Sequence, residues 1–214
     1  MKDNVIVGVT QRVDKIDSHN EWRDALDQKL IEWVVKIGFL PVPIPNTLID
    51  AASLHNQPVL DSWLKRLNID ALLLSGGNDI GDVLQRDLTE RHLLDWAKKN
   101  NKPVLGICRG MQMMGVYSGE RLVKISDHVQ TYHKLCFDEH NRENFSESVN
   151  SYHSQVLKNC PDSFKIAAKS ESGSLEAMIH KSLPWEAWMW HPERETVFVK
   201  NFQERFKDLV YHGK

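Results

Sequence analysis

The chain contains 214 residues, 41% of them hydrophobic, and its formal net charge at pH 7 is -2. A chain of this length can bury a substantial core, and the nearly balanced charge provides no basic surplus for a nucleic-acid partner. The sequence has no run of the roughly 20 apolar residues that a membrane span requires, and Met1–Asn4 does not begin a signal peptide. The three cysteines, Cys108, Cys136 and Cys160, form no metal-binding or disulfide pattern. We therefore expect one cytoplasmic domain over residues 1–214, with no membrane partner.

The first half of the chain predicts alternating strands and helices. Val5–Thr10 is a β-branched run typical of a buried parallel strand. Apolar residues at helical spacing predict a helix over Glu21–Ile37 with Gly38 as its C-cap, and the proline-rich segment Phe39–Pro45 favours a short or edge strand. Two further helices are predicted over Leu60–Leu67 and Leu88–Lys99. Two further strands are predicted, one over Ala71–Leu74 and one in the apolar segment before Cys108.

After Gly115 the pattern changes to alternating segments, which predict antiparallel strands. These segments are Lys134–Phe137, Phe164–Ala168, Leu175–Ile179 and Trp188–Trp190, and a helix over about Val197–Leu209 ends the chain. The strand–helix–strand intervals of the first half indicate βαβ units. The predicted fold is therefore α/β, with a mostly parallel central sheet flanked by helices and a small antiparallel addition.

A cysteine stands where a strand is predicted to turn into a helix. Val104–Gly115 reads VLGICRGMQMMG, so that Gly106 and Gly110 flank Cys108 in a G-x-C-x-G pattern. In a nucleophile elbow such glycines permit a strained turn and close packing of the helix on the strand. A helix N-terminus also favours the thiolate. A buried structural cysteine in a packed strand–turn–helix is the alternative for this pattern alone.

A cysteine nucleophile needs a base and a group that orients the base, and Trp190–Glu193 supplies both in the sequence W-H-P-E. Residues two apart on an extended segment point to the same side, so Glu193 can reach the imidazole nitrogen of His191 that does not face Cys108. A solvated surface turn remains the alternative for this motif alone. The order cysteine, histidine, acid differs from that of the α/β-hydrolases.

Two backbone amides are candidates for the oxyanion hole. One belongs to Arg109, directly after the nucleophile. The other belongs to Gly77, in the loop Ser75–Asn78 at the carboxyl end of the preceding parallel strand, where glycine lets the backbone approach a substrate.

Five ordered motifs resemble those of the class I glutamine amidotransferases, in particular the γ-glutamyl hydrolase branch. They are Ser75–Ile80, Arg86–Leu93, Pro103–Gln112, Asn150–Gln155 and Trp190–Glu193. The resemblance extends over nearly the whole chain and implies that Cys108 is the nucleophile, His191 the general base and acid, and Glu193 its orienting group. The residues it implies for binding the glutamyl group, partly through the backbone, are Gly76, Gln112, Tyr152, His153, Ser154 and Gln155.

Two features depart from the family pattern. Met189 stands where the family usually has glutamine, so one hydrogen bond behind the site is expected to be missing. Gly81–Gln85 leads almost directly to Arg86, where family members commonly have a longer loop. A shorter loop leaves one rim of the pocket open for a bulky leaving group. Taken as a whole, the chain resembles the hydrolases of nucleotide-linked γ-glutamyl amidates in capsular polysaccharide synthesis.

The resemblance thus implies hydrolysis of a small-molecule γ-glutamyl amide, whose leaving group can be nucleotide-linked, to glutamate and the free amine or amidate, with no cofactor or metal. A γ-glutamyl-amine hydrolase, a glutaminase subunit supplying ammonia to a synthetase, and a non-catalytic regulator or redox sensor are the alternatives; His191 and Glu193 disfavour the last. Asp79 and Glu90 are interpreted as structural carboxylates. The histidines His128, His133, His140 and His153 lack paired ligand spacing and are interpreted as surface, pocket-wall or core residues. The residues interpreted as core are Trp185, Trp188, Trp190, Met111, Met113 and Met114. No feature predicts the oligomeric state.

Overall fold

The structure is a computed structural model that describes residues 4–52, 57–126, 128–137 and 145–213. Its strands in chain order are β1 (Ile6–Thr10), β2 (Arg12–Ile16), β3 (Glu21–Ala25), β4 (Leu40–Ile44), β5 (Ala71–Leu74), β6 (Val104–Ile107), β7 (Leu122–Lys124), β8 (Val129–Cys136), β9 (Ser148–Tyr152), β10 (Gln155–Leu157), β11 (Phe164–Ser170), β12 (Leu175–His180) and β13 (Trp185–Trp188). Its α-helices are α1 (Gln28–Ile37), α2 (Pro58–Leu67), α3 (Leu84–Lys99), α4 (Arg109–Tyr117) and α5 (Lys200–His212).

A nine-stranded sheet in the order β4-β1-β5-β6-β13-β12-β11-β8-β9 forms the centre of the fold. The strands from β4 to β13 are mutually parallel, and those from β12 to β9 are antiparallel to their neighbours. Two small pairs, β2–β3 and β7–β10, lie outside this sheet. The predicted α/β fold with an antiparallel addition is confirmed.

Helices cover both faces of the parallel half because its strands are apolar on both sides. In β5, Ala71 and Leu73 belong to one core cluster, whereas Leu72 and Leu74 belong to the other. Helices α1 and α5 supply the first cluster with the stacked rings of Trp33 and Phe206. Helices α2, α3 and α4 contribute to the second. The predicted tryptophan and methionine core residues are each 1% exposed or less, which confirms their structural interpretation.

The predicted helix over Glu21–Ile37 is wrong in its first part. Glu21–Ala25 forms strand β3, which pairs with β2, and helix α1 begins only at Gln28, where the Asp27 carboxylate accepts a hydrogen bond from Lys29 N at 2.9 Å. Trp22 falls in phase with the apolar residues of α1 but is 62% exposed on the hairpin. Gly38 is confirmed as the C-cap, with φ of 95°.

The segment Trp188–Trp190 is predicted to be a strand antiparallel to its neighbours. The structure agrees for one neighbouring strand and disagrees for the other. Strand β13 ends at Trp188 and is antiparallel to β12 but parallel to β6. This parallel pairing places the chain after β13 beside the end of β6. Within the described ranges, none of the helices combines the length and apolar character of a membrane span.

Candidate active site

The predicted elbow is present at the junction of β6 and α4. Cys108 has φ of 51° and ψ of -104°, a conformation that non-glycine residues rarely adopt. Its backbone N–H donates to the Trp188 carbonyl at 2.8 Å, which joins the elbow to β13. The side chain is 8% exposed. The turn therefore holds one thiol at the carboxyl edge of the parallel sheet and at the N-terminus of α4.

The two glycines beside the cysteine are required by close packing. A Cβ at Gly110 would overlap the Leu74 carbonyl oxygen, and one at Gly106 would lie 2.8 Å from the Gly110 carbonyl carbon and 2.6 Å from Met114 Sδ. Helix α4 consequently approaches β5 and β6 more closely than residues with side chains would allow, as the G-x-C-x-G pattern predicts.

His191 and Glu193 form a buried pair at the end of β13. His191 Nδ1 lies 2.6 Å from Glu193 Oε1, and each residue is 3% exposed. The contact agrees with the prediction, but the backbone does not, since Pro192–Arg194 forms a 3-10 turn instead of an extended segment. With Nδ1 donating to the carboxylate, Nε2 is the nitrogen available to the cysteine.

The electrostatic setting favours a charged imidazole. Burial alone lowers the pKa of His191, but the Glu193 carboxylate and the Cys108 side chain, which also hydrogen-bonds the ring, together raise it above its ordinary value. A protonated imidazole beside the cysteine stabilises the thiolate, which is the nucleophilic form.

Asn150 positions the histidine through its backbone, a role that sequence analysis missed. Asn150 Oδ1 accepts from His191 N at 3.0 Å, and Asn150 Nδ2 donates to the His191 carbonyl at 2.8 Å. The same amide group donates to Glu195 Oε1 at 2.6 Å. The motif Asn150–Gln155 contains this residue, but only the fold of β9 against the turn after β13 gives it a partner.

The glycine loop after β5 lies directly against the histidine. A Cβ on Gly76 would lie 2.7 Å from His191 Cε1, and Gly77 has φ of 114°, in the region that favours glycine. Both glycines share a cavity of about 40 Å³ with His191 and Glu193. The loop is thus beside the proposed reacting groups, and the oxyanion roles of Gly77 N–H and Arg109 N–H stay predictions.

Arg86 holds this loop in place and was not predicted as a positioning residue. Its Nη2 donates to the carbonyls of Ser75 at 2.8 Å and Gly76 at 2.9 Å, and its Nε donates to Glu90 at 3.2 Å. Glu90 also pairs with Arg109. Burial would raise the pKa of Glu90, but the two guanidinium groups hold it below its ordinary value.

These contacts confirm the structural interpretation of Glu90, while that of Asp79 stays a prediction. The Arg109 side chain is 1% exposed and pairs through its two terminal nitrogens with Glu90 and Asp87, which gives the guanidinium a structural role.

The predicted glutamyl-binding residues are partly brought together. Gln112 is 4% exposed, and its Nε2 donates to the Gln155 carbonyl at 2.9 Å. The Tyr152 ring meets the His191 ring edge-on at 5.7 Å between centroids, and Ser154 is exposed. The segment after β9 therefore lies beside both the histidine and the first turn of α4. Substrate contacts of these residues remain predictions.

The His153 side chain turns away into a cluster with His128, His133 and Glu176, which leaves only its backbone for the predicted role. Ligand atoms of these four residues all lie within 4.8 Å of one another. Burial lowers the pKa of His153 to about 3 and raises that of Glu176 to about 8. The histidines that show no paired spacing in the sequence are thus neighbours in space; His140 lies outside the described residues.

A larger cavity of about 690 Å³ adjoins the shortened loop. Its lining residues come from the β2–β3 hairpin, the segment after β4, the loop before α3 and the first turn of α3: Val13, Trp22, Asp24, Asn46, Thr47, Asp82, Val83, Leu84 and Gln85. Arg12 lines the small cavity at His191, and Val13, the next residue in the chain, lines the larger cavity. The two cavities are therefore neighbours. This cavity lies at the loop for which an open rim is expected, and the open rim itself stays a prediction.

Comparison with known proteins identifies the family of this chain. Residues 15–200 match the family model described as glutamine amidotransferase class-I. The chain is 30% identical to γ-glutamyl-CDP-amidate hydrolase of Campylobacter jejuni, over 89% of this chain and 91% of that protein. It is 29% identical to a glutamine-hydrolyzing GMP synthase subunit of Methanocaldococcus jannaschii, over 64% of this chain and 72% of that one. A glutamine amidotransferase structure from Thermotoga maritima, 15% identical, has the same fold with a TM-score of 0.64, over 95% of this chain and 83% of that one.

Proposed function

Since the chain belongs to the class I glutamine amidotransferase family, we propose that it hydrolyses a γ-glutamyl amide whose leaving group is a nucleotide-linked amidate. The observation that carries this proposal is the juxtaposition of Cys108, His191 and Glu193 at the edge of the parallel sheet. The resemblance to γ-glutamyl-CDP-amidate hydrolase, which covers most of both chains, supports the choice of substrate. The released amidate is of the kind used in the phosphoramidate groups of capsular polysaccharide, as the sequence resemblance implies.

The reaction proceeds through a thioester. The Cys108 thiolate attacks the γ-carbonyl carbon, and the oxyanion accepts hydrogen bonds from the Gly77 and Arg109 amides. Protonated His191 gives its proton to the leaving nitrogen as the C–N bond breaks. His191 then removes a proton from water, which attacks the thioester carbonyl, so that the C–S bond breaks and glutamate leaves. Glu193 keeps the imidazole in the required orientation throughout.

Two guanidinium groups at the site are the feature that favours an anionic leaving group. Arg12 and Arg194 line the small cavity that contains His191, together with Asp27 and Glu193, and guanidinium groups favour phosphate oxygens. The exposed indole of Trp22 at the larger cavity offers a flat face on which a nucleobase can stack.

A glutaminase subunit that supplies ammonia to a synthetase is the second candidate, and the similarity to the glutamine-hydrolyzing subunit of GMP synthase favours it. The same three residues would serve that reaction, so the triad does not separate the two functions. The measurement that separates the two functions is the turnover of free glutamine in the absence of a partner protein.

The test is a comparison of kcat/KM for γ-glutamyl-CDP-amidate, a γ-glutamyl derivative of a small amine, and glutamine, with Cys108→Ala excluding contaminating activity. We expect the nucleotide amidate to be the best substrate. Arg12→Gln should raise KM for it by about tenfold, the effect of one lost charged contact of about 1.4 kcal/mol, and leave glutamine turnover unchanged. Arg23→Gln, which removes an exposed guanidinium from the same hairpin at a residue that lines neither cavity, is the matched control. Preference for glutamine would refute the amidate assignment and favour the ammonia donor.

A further inference from the structure

The cluster of His128, His133, His153 and Glu176 lies apart from the catalytic triad and joins distant parts of the chain. His128 directly precedes β8, and His133 belongs to that strand. His153 follows β9, and Glu176 lies on β12. The imidazole centroid of His128 is 4.1 Å from that of His133 and 5.0 Å from that of His153. Each of the four residues presents one nitrogen or oxygen ligand atom, and these atoms all lie within 4.8 Å of one another. A single ion between them could contact all four.

Glu176 and His133 have buried polar atoms that lack hydrogen-bond partners among the described residues. Among the described residues, both carboxylate oxygens of Glu176 and Nε2 of His133 are buried without a hydrogen-bond partner. Glu176 is fully buried, and His153 is 3% exposed. Nε2 of His153 lies 3.8 Å from Oε1 of Glu176, which is beyond hydrogen-bonding distance. Buried polar groups are almost always paired, so a carboxyl group left unpaired in the interior is costly. A cation between these atoms would satisfy them together.

We propose that these four residues form a structural binding site for a divalent transition-metal ion, with Zn²⁺ the best match. Three imidazole nitrogens and one carboxylate oxygen are preferred ligands of Zn²⁺, which takes four ligands in a tetrahedral arrangement at about 2.0–2.2 Å. Ligand atoms in such a site are about 3.3 Å apart, so small side-chain rotations close it around the ion. Four protein ligands leave no open position for substrate, and this marks the site as structural.

The position of the site indicates what the ion would stabilise. It would tie β8 and the end of β9 to β12, whose Glu176 carbonyl accepts a hydrogen bond from Met189 N at 2.8 Å. Met189 is two residues before the catalytic histidine. The ion would therefore fix the segment that carries His191 without taking part in the reaction, and the proposal does not depend on which amide is the substrate.

Metal binding can be tested on the full chain prepared without a polyhistidine tag. Chelator-treated protein is titrated with Zn²⁺ against a chromophoric competitor and with Co²⁺, whose intense visible absorption reports tetrahedral coordination. We expect one ion per chain and a higher thermal midpoint with metal than without. Glu176→Gln and His133→Ala should each weaken binding by more than about 100-fold, which exceeds the effect of losing an outer-shell partner.

The variants are chosen so that folding does not decide the outcome. Glu176→Gln keeps the size of the side chain, and His133 is only partly buried, so its truncation leaves the core intact. His19→Ala removes an exposed histidine elsewhere and should bind metal as the wild type does. Absence of a stoichiometric ion in the wild type, or wild-type affinity in both cluster variants, would overturn the proposal and assign the cluster to a neutral imidazole–carboxylic acid arrangement.

Discussion

The contact between Gly76 and His191 provides a direct test of the active-site geometry. In Gly76→Ala the new Cβ would lie 2.7 Å from His191 Cε1, whereas ordinary contacts begin at 3.4 Å, so the ring must retreat by about 0.7 Å. The ring cannot move freely, because Nδ1 is held by Glu193 at 2.6 Å and the backbone N by Asn150 at 3.0 Å. A misplacement of about 1 Å costs about 100-fold in rate. We therefore expect kcat/KM to fall by about 30- to 100-fold, or about 2–3 kcal/mol in activation free energy.

The assay combines kcat/KM on the best substrate, the rate of Cys108 alkylation by iodoacetamide at neutral pH, and the thermal midpoint. Gly76 is not among the glycines with positive φ, so alanine adds no backbone strain there. Gly38→Ala is the contrasting control, since φ is 95° and nothing lies near its Cβ position; it should lose about 1–2 kcal/mol of stability and retain full activity. Wild-type kcat/KM and alkylation in Gly76→Ala would refute the placement of His191.

Three further substitutions test the nucleophile, its base and the loop. Cys108→Ala should abolish turnover and leave the far-ultraviolet circular dichroism unchanged; residual hydrolysis by the purified variant would refute the thioester mechanism. Glu193→Gln should lower kcat by about 10²- to 10⁴-fold, the upper figure being that of the corresponding change in serine proteases. Because Glu193 raises the pKa of His191, the alkaline limb of the kcat/KM profile, which reports loss of the proton that His191 gives to the leaving nitrogen, should move to lower pH, and an unmoved limb would contradict the pairing. Arg86→Gln should cost about 3–5 kcal/mol in urea unfolding, since it breaks a buried ion pair with Glu90, and a cost under 1 kcal/mol would contradict that role.

The parts of this molecule that could be predicted are those where the sequence constrains the backbone locally. Gly106 and Gly110 predict the elbow because a Cβ at either position would overlap its neighbours. The spacing of His191 and Glu193 brings their side chains together in the 3-10 turn that forms, as it would in the extended segment expected. In both places a few adjacent residues determine the geometry, so tertiary packing had little opportunity to change it.

The hairpin of β2 and β3 shows where local reasoning fails. Trp22 and Leu26 continue the apolar spacing of α1, and helical periodicity alone extends the helix back to Glu21. The structure instead pairs Glu21–Ala25 with β2 and starts the helix after the Asp27 cap. The two arrangements differ in strand pairing, which the spacing of apolar residues along one segment does not encode.

Contacts that depend on strand register are harder still to predict from the sequence. His133 and His153 are twenty positions apart, and the pairing of Tyr132 with Asn150 and of Val129 with Tyr152 brings their neighbourhoods together. A register shift of one residue would turn alternate side chains to the opposite face and separate them. The same pairing delivers Asn150 to the backbone of His191. Strands β8 and β9 therefore set two things at once, the position of the catalytic histidine and the convergence of the proposed metal ligands, and a substitution that disturbs their register should impair both.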